Sequence, residues 1–337
     1  MVNQKGKGII MKNNYLKLLW LFILIAPQFL IASNKVLIIA GAGGLDNFKS
    51  QFYNQATELQ RLLIDNYGYS QADIQVFVAN NPDSIEVKYP ESTAQNITAY
   101  FDEKAREFTA ASTFFCFLIG HGSYDNEWGK FNLVGTDLRD IDYSQLLSQL
   151  KSRKILFVNM ASASGPFLDK ISRKNRVVIT ATRDGFEKNA TQFAEQFLST
   201  LSNSENSDLN KDGRISATEL FISTRDRVVG YYDSKKQLRP EHPVLDDNGD
   251  GFGTEMPDLL EGDGMLANDI ILNQVIDEKA ASLNPVSTNA VDDIRKQNIL
   301  IMIKALQKKK NTLDVDDYYD ELEKLMIELA KITQEKN

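Results

Sequence analysis

The chain has 337 residues, a formal net charge of −8 and a single cysteine, Cys116. That length can bury one sizeable core plus a smaller appendage, and the apolar and charged fractions are those of a folded protein rather than a disordered one. The acidic balance excludes a phosphate-neutralising surface for nucleic acid, and a lone cysteine excludes an internal disulfide or a cysteine metal cluster.

Residues 1–33 read as a targeting segment. Lys5, Lys7, Lys12 and Lys17 form a basic start, 18–31 is apolar, and Ile31-Ala32-Ser33 offers a small-residue cleavage site. The apolar stretch is short for a spanning helix, and no cysteine stands near the site for lipid attachment. The expectation is a signal peptide and an exported protein, periplasmic or secreted, with an uncleaved anchor as the alternative. An α/β domain over 34–268 and a helical region over 269–337 are expected to follow.

The domain opens with the apolar run 35–40, ending in Gly41-Ala42-Gly43-Gly44. A dinucleotide-binding loop needs a third glycine where Asp46 stands, so a tight strand-to-helix turn is the better reading. Over 48–67, Phe52, Ala56, Leu59, Leu62 and Leu63 recur at helical spacing. A strand at 73–78 and a helix at 93–108, with Thr93 at its cap, come next. The run Phe114-Phe115-Cys116-Phe117-Leu118-Ile119 leads into Gly120-His121-Gly122-Ser123, and Cys116 within it is a small buried apolar residue. Residues 124–138 suggest a hairpin or lid, and 141–150 a short helix. Lys154-Ile155-Leu156-Phe157-Val158-Asn159 then leads into Met160-Ala161-Ser162-Ala163-Ser164-Gly165. The strand at 176–181 ends in Thr182-Arg183-Asp184-Gly185-Phe186-Glu187.

This alternation predicts an α/β fold with a mostly parallel sheet and helices on both faces. Parallel neighbours bring their C-terminal turns to one edge, where such folds bind ligands. His121 on one turn would then face Ser162 on the next, as a base faces a nucleophile.

The two turns, a strand ending in His-Gly and another ending in Ala161-Ser162-Ala163-Ser164-Gly165, resemble those of the legumain/caspase-like (clan CD) cysteine peptidases. The resemblance spans roughly 34–251. It implies a caspase-like sheet, with His121 as base and Ser162 at the position of the family's nucleophilic cysteine. The backbone N–H groups of Gly122 and Ser162 would form an oxyanion hole. The resemblance also implies that Glu187 lines the pocket for the residue before the cleaved bond, beside Arg183. A thiol ionises near neutral pH but a serine hydroxyl does not, so the imidazole would need a third group to orient it. Asp125 and Glu127 are the nearest acids in sequence. Two functions follow: an exported hydrolase of peptide or other acyl bonds, or a catalytically inactive pseudopeptidase that binds peptide or a protein partner.

Residues 208–219 match the EF-hand template at each diagnostic position. Asp208, Asn210 and Asp212 supply side-chain oxygens, Arg214 its backbone carbonyl and Gly213 the turn, while Ser216 stands where a water-mediated ligand is common and Glu219 can bind bidentately. A structural Ca²⁺ is the expectation. Asp246-Asp247-Asn248-Gly249-Asp250-Gly251 begins the same template, but Pro257 replaces its bidentate acid, which favours a hydrophilic turn. His242, between Glu241 and Pro243, reads as a loop histidine. Beyond 268, helices are expected at 291–307 and 315–332, the second carrying a stripe of Tyr318, Leu322, Leu325, Leu329 and Ile332. They would pair as a hairpin, packed on itself or presented to a protein partner.

Overall fold

Continuous apolar runs have no polar side to offer solvent, so they form strands buried on both faces. A computed structural model describes residues 34–86, 88–152, 154–258, 262–273, 299, 303, 306, 310 and 314–334. Within them the elements are β1 (Asn34–Ala40), α1 (Asp46–Tyr67), β2 (Ile74–Val78), α2 (Ala94–Glu107), β3 (Thr113–Ile119), β4 (Gly122–Tyr124), β5 (Gly129–Phe131) and β6 (Leu138–Arg139). There follow α3 (Asp140–Ser148), β7 (Lys154–Asn159), α4 (Phe167–Ile171), β8 (Arg176–Thr180), α5 (Phe193–Ser202), α6 (Ser204–Ser207), α7 (Ala217–Ser234), β9 (Val244–Asp246), α8 (Met265–Asn268) and α9 (Val315–Gln334). The expected signal peptide lies outside the described residues, as does most of the helix expected at 291–307.

The main sheet has six strands in the order β2-β1-β3-β7-β8-β9, parallel except for the antiparallel edge strand β9. The expected α/β class and mostly parallel sheet are thus present. One face packs Phe52, Ala56, Leu59 and Leu63 of α1 with Phe193 and Phe197 of α5 and Leu220, Phe221 and Val228 of α7. The other packs Ile97 and Phe101 of α2, Tyr143 and Leu147 of α3 and Phe167 and Ile171 of α4. Cys116 is fully buried in that second layer, and burial pushes its thiol pKa up, so it is a packing residue. Thr93 caps α2 by accepting from the Asn96 backbone N–H, as its sequence position predicts.

The segment expected as a hairpin or lid is a three-stranded antiparallel sheet, β4-β5-β6, running directly off the end of β3. In the C-terminal region, Tyr318 and Leu325 of α9 are buried with Ile299, Ile303 and Leu306. No helix among the described residues is long and apolar enough to cross a membrane.

Candidate functional site at the sheet edge

Strands β3, β7 and β8 run in register, with Leu118 beside Asn159 and Asn159 beside Thr180. Their following turns therefore emerge at one rim. Strand order reverses between β1 and β3, and such switch points open a crevice at the C-terminal edge. His121 stands just beyond β3 and Ser162 just beyond β7. The two turns meet through Gly122: Ser162 Oγ accepts from the Gly122 N–H at 3.4 Å and donates to the Gly122 carbonyl at 3.3 Å. A β-carbon at Gly122 would collide with the carbonyl oxygens of Ser162 and Lys130, so glycine alone permits this approach.

The turn that carries Ser162 is backbone-strained. Ala163 has φ of 52°, the left-handed region that costs a residue with a β-carbon roughly 1–2 kcal/mol. Two contacts hold it: Ala163 N–H donates to the Glu187 carbonyl at 2.9 Å, and the Ser164 hydroxyl accepts from Thr182 N–H at 3.1 Å. Ser164 is thus a turn residue. Strain held in place by neighbouring loops is a feature of functional turns.

The His121 imidazole lies against helix α1. Its ring meets Phe48 and Phe52 edge to face, with centroids 4.5 and 4.9 Å away. Burial lowers its pKa, so the neutral ring, able to accept a proton, prevails at neutral pH. Among the described residues no hydrogen bond joins the imidazole to Ser162 or to any acid. Asp125 instead pairs with Lys130 at 2.6 Å and accepts from the N–H groups of Glu127 and Trp128, which hold its pKa well below the usual carboxylate range. Glu127 is exposed on the same hairpin. Neither sequence neighbour orients the ring.

The loop after β8 brings Glu187 and Arg183 to the rim together. Both oxygens of Glu187 are engaged: Oε2 accepts from the backbone N–H of Arg183 and of His242, each at 3.0 Å, and Oε1 lies 2.5 Å from His242 Nδ1. Arg183 is 56% exposed, with Glu187 and Glu255 at 3.7 and 3.9 Å. His242 was not linked to this loop by any motif. The usable signal was topological: β9 pairs antiparallel with β8, so the residue ahead of β9 falls opposite the turn that follows β8. Its neighbour Glu241 is buried, accepts from Gln192 N–H and Phe193 N–H at the start of α5 and from the Tyr232 hydroxyl, and so ties that helix to the rim.

The two acidic loops lie away from these turns in sequence. In 208–219, Asp208 accepts from Asp212 N–H and Gly213 N–H at 3.1 and 2.8 Å, and Gly213 has φ of 79°. Asn210 Oδ1 accepts from Asp212 N–H, and Asp212 Oδ1 from Arg214 N–H. Glu219 turns back to accept from Leu209 N–H, Asn210 N–H, Ser216 N–H and the Ser216 hydroxyl. The loop is braced by Ile215, whose carbonyl accepts from Leu272 N–H. Among the described residues no three His, Cys, Asp or Glu side chains gather as a metal-holding group. In the second loop, Asp246 accepts from Gly249 N–H and Gly251 N–H, and Asp263 from Asp247 N–H and Asn248 N–H. Asp263 packs beneath it, and desolvation, with Asp246 and Asp247 nearby, pushes its pKa up to about 6.

Set against protein-family models and curated protein sequences, the chain matches none. Fold and rim together define an α/β protein with a six-stranded, mostly parallel sheet and a candidate site where the turns after β3, β7 and β8 converge.

Proposed function

We propose that the chain is an exported hydrolase of the legumain/caspase-like kind, with a caspase-like sheet, acting on peptide or other acyl bonds through His121 and Ser162. The observation that carries this reading is the approach of Ser162 Oγ to the Gly122 N–H at 3.4 Å on a strained turn at the rim. A neutral imidazole takes the Ser162 proton as Oγ attacks the acyl carbon. The N–H groups of Gly122 and Ser162 receive the oxyanion. The imidazolium then returns its proton to the leaving group, and water hydrolyses the acyl-serine. For this the hydroxyl must turn from the Gly122 carbonyl towards the ring when substrate binds. Arg183 and Glu187 would flank the residue before the cleaved bond, Arg183 presenting the exposed charge.

A fluorophosphonate probe tests the reading. Labelling at Ser162 that vanishes in His121→Ala is expected; an unlabelled wild-type protein ends it. The second reading, a pseudopeptidase that binds peptide or a protein partner, is favoured by one observation, the hydroxyl closed on Gly122 with no bond to His121.

Ca²⁺ is proposed at 208–219, held by Asp208, Asn210, Asp212, the Arg214 carbonyl, Ser216 and Glu219. The oxygen donors suit a hard cation in kind and order, and Glu219 would exchange its N–H partners for the ion. Its role would be to pin α7 to the preceding loop. A rise in melting temperature on adding Ca²⁺ to chelator-treated protein, absent in Glu219→Gln, is the expected result. For the C-terminal region, the burial of Tyr318 and Leu325 against Ile299, Ile303 and Leu306 supports a hairpin packed on itself.

A further inference from the structure

A serine nucleophile needs its imidazole held, and among the described residues no acid holds His121. The ring does, however, share a small cavity of about 50 Å³ with Gln55. Phe48, Phe52 and Gln55 follow one another at helical spacing along a single face of α1, so the amide sits one turn beyond the phenylalanines that flank the ring. Gln55 is only 5% exposed, and its Oε1 is buried with no hydrogen-bond partner among the described residues. A buried acceptor without a donor is costly to keep and points to a group that it serves.

Two other side-chain amides line the cavity, Gln51 and Gln192, both half-buried where Gln55 is buried. Thr191 lines it, but its hydroxyl already donates to the Met160 carbonyl at 2.7 Å. Met160, Ala190 and Ala194 bring no polar side-chain group, and among the described residues no Asp, Glu, Lys or Arg lines the wall. His121 is the titratable group there. The volume suffices for bound water, and the wall offers both a donor and an acceptor to it.

We propose that Gln55 is the positioning residue for His121. Its Oε1 accepts the imidazole N–H that faces the cavity, through a bound water where the gap requires one. The single proton of the neutral ring is thereby kept on the cavity side, and the other nitrogen is left bare towards the rim. There it can take the Ser162 proton. The amide supplies orientation without charge, so the ring keeps the lowered pKa that its aromatic surroundings impose. This inference rests on His121 being the base of the proposed hydrolase, but the tautomer can be read without turnover.

The test is long-range proton–nitrogen NMR on the full chain labelled with ¹⁵N-histidine, with His121→Gln identifying the signals. Wild-type His121 is expected as one neutral tautomer at pH 7.5. Gln55→Leu should give a mixture of tautomers, and Gln55→Glu should raise the His121 midpoint by about one unit or more, as a carboxylate close to an imidazole does. Ser162→Ala should change neither, and both effects should persist even where the fluorophosphonate probe fails, which separates loss of the hydrolase from loss of this inference. Mixed tautomers in the wild type, or wild-type tautomer and midpoint in the Gln55 variants, would overturn it. Should Gln55→Leu not fold, the midpoint of Gln55→Glu decides alone.

Discussion

His121 and His242 come from separate parts of the domain and arrive at the same edge of the sheet, where they are held in opposite ways. His121 lies edge-on to two phenylalanines, and among the described residues no polar atom is bonded to its ring. His242 faces the Glu187 carboxylate, which also accepts its backbone N–H. An aromatic nest disfavours charge on the imidazole and leaves its nitrogens available. A carboxylate fixes the ring and occupies a nitrogen. Of the two, the first can serve as a proton acceptor and the second is a structural clamp between β9 and the loop after β8. Glycines around His121 and a proline after His242 hint at loops in both cases, so the distinction lies entirely in what packs against each ring.

The largest effect is expected from removing the nest. Phe52→Ala deletes a ring that is 6% exposed in the core and should cost about 3–5 kcal/mol in urea unfolding. The same variant should raise the His121 pKa back towards 6.5 by letting water reach the ring, read by NMR titration. His242 should be untouched.

Breaking the clamp is the next test. Glu187→Ala leaves the N–H groups of Arg183 and His242 without their acceptor and should cost about 2–3 kcal/mol. Glu187→Gln keeps an accepting oxygen and should cost less than half as much. Equal losses in the two variants would mean that charge, not hydrogen bonding, holds the loop.

The smallest effect is in pH dependence. The folded-state pKa of His121 is depressed, so its contribution to stability is fully present above the unfolded value near 6.5. It is lost as pH falls through the lowered folded value. His121→Gln should therefore flatten the fall in stability between pH 7 and 5, measured by urea unfolding at each pH, whereas Ser162→Ala should leave that slope as it is.

Much of the scaffold could be read from the chain because it depends on local pattern. Apolar runs without polar alternation become doubly covered strands, and Thr93 ahead of Ala94–Glu107 caps a helix for reasons confined to one turn. The His121 and Ser162 turns were visible as glycine-flanked ends of buried strands. Their meeting follows from parallel register, and it is made by the Gly122 backbone rather than by the imidazole. Asp125 and Glu127 illustrate the limit of reasoning by proximity in sequence. The antiparallel extension β4-β5 carries them off with Lys130.

By itself, the order of residues determined the alternation of strands and helices, the sheet edge at which function would sit and the glycine needed between the two turns. These follow from short-range geometry and from the burial of apolar runs. Only the tertiary structure decided which ring sits among phenylalanines, which carboxylate meets His242 and that Gln55, on the same cavity as His121, keeps a buried oxygen with no partner among the described residues. Those pairings join residues tens of positions apart, and a side chain's protonation and reach depend on neighbours that no local window contains.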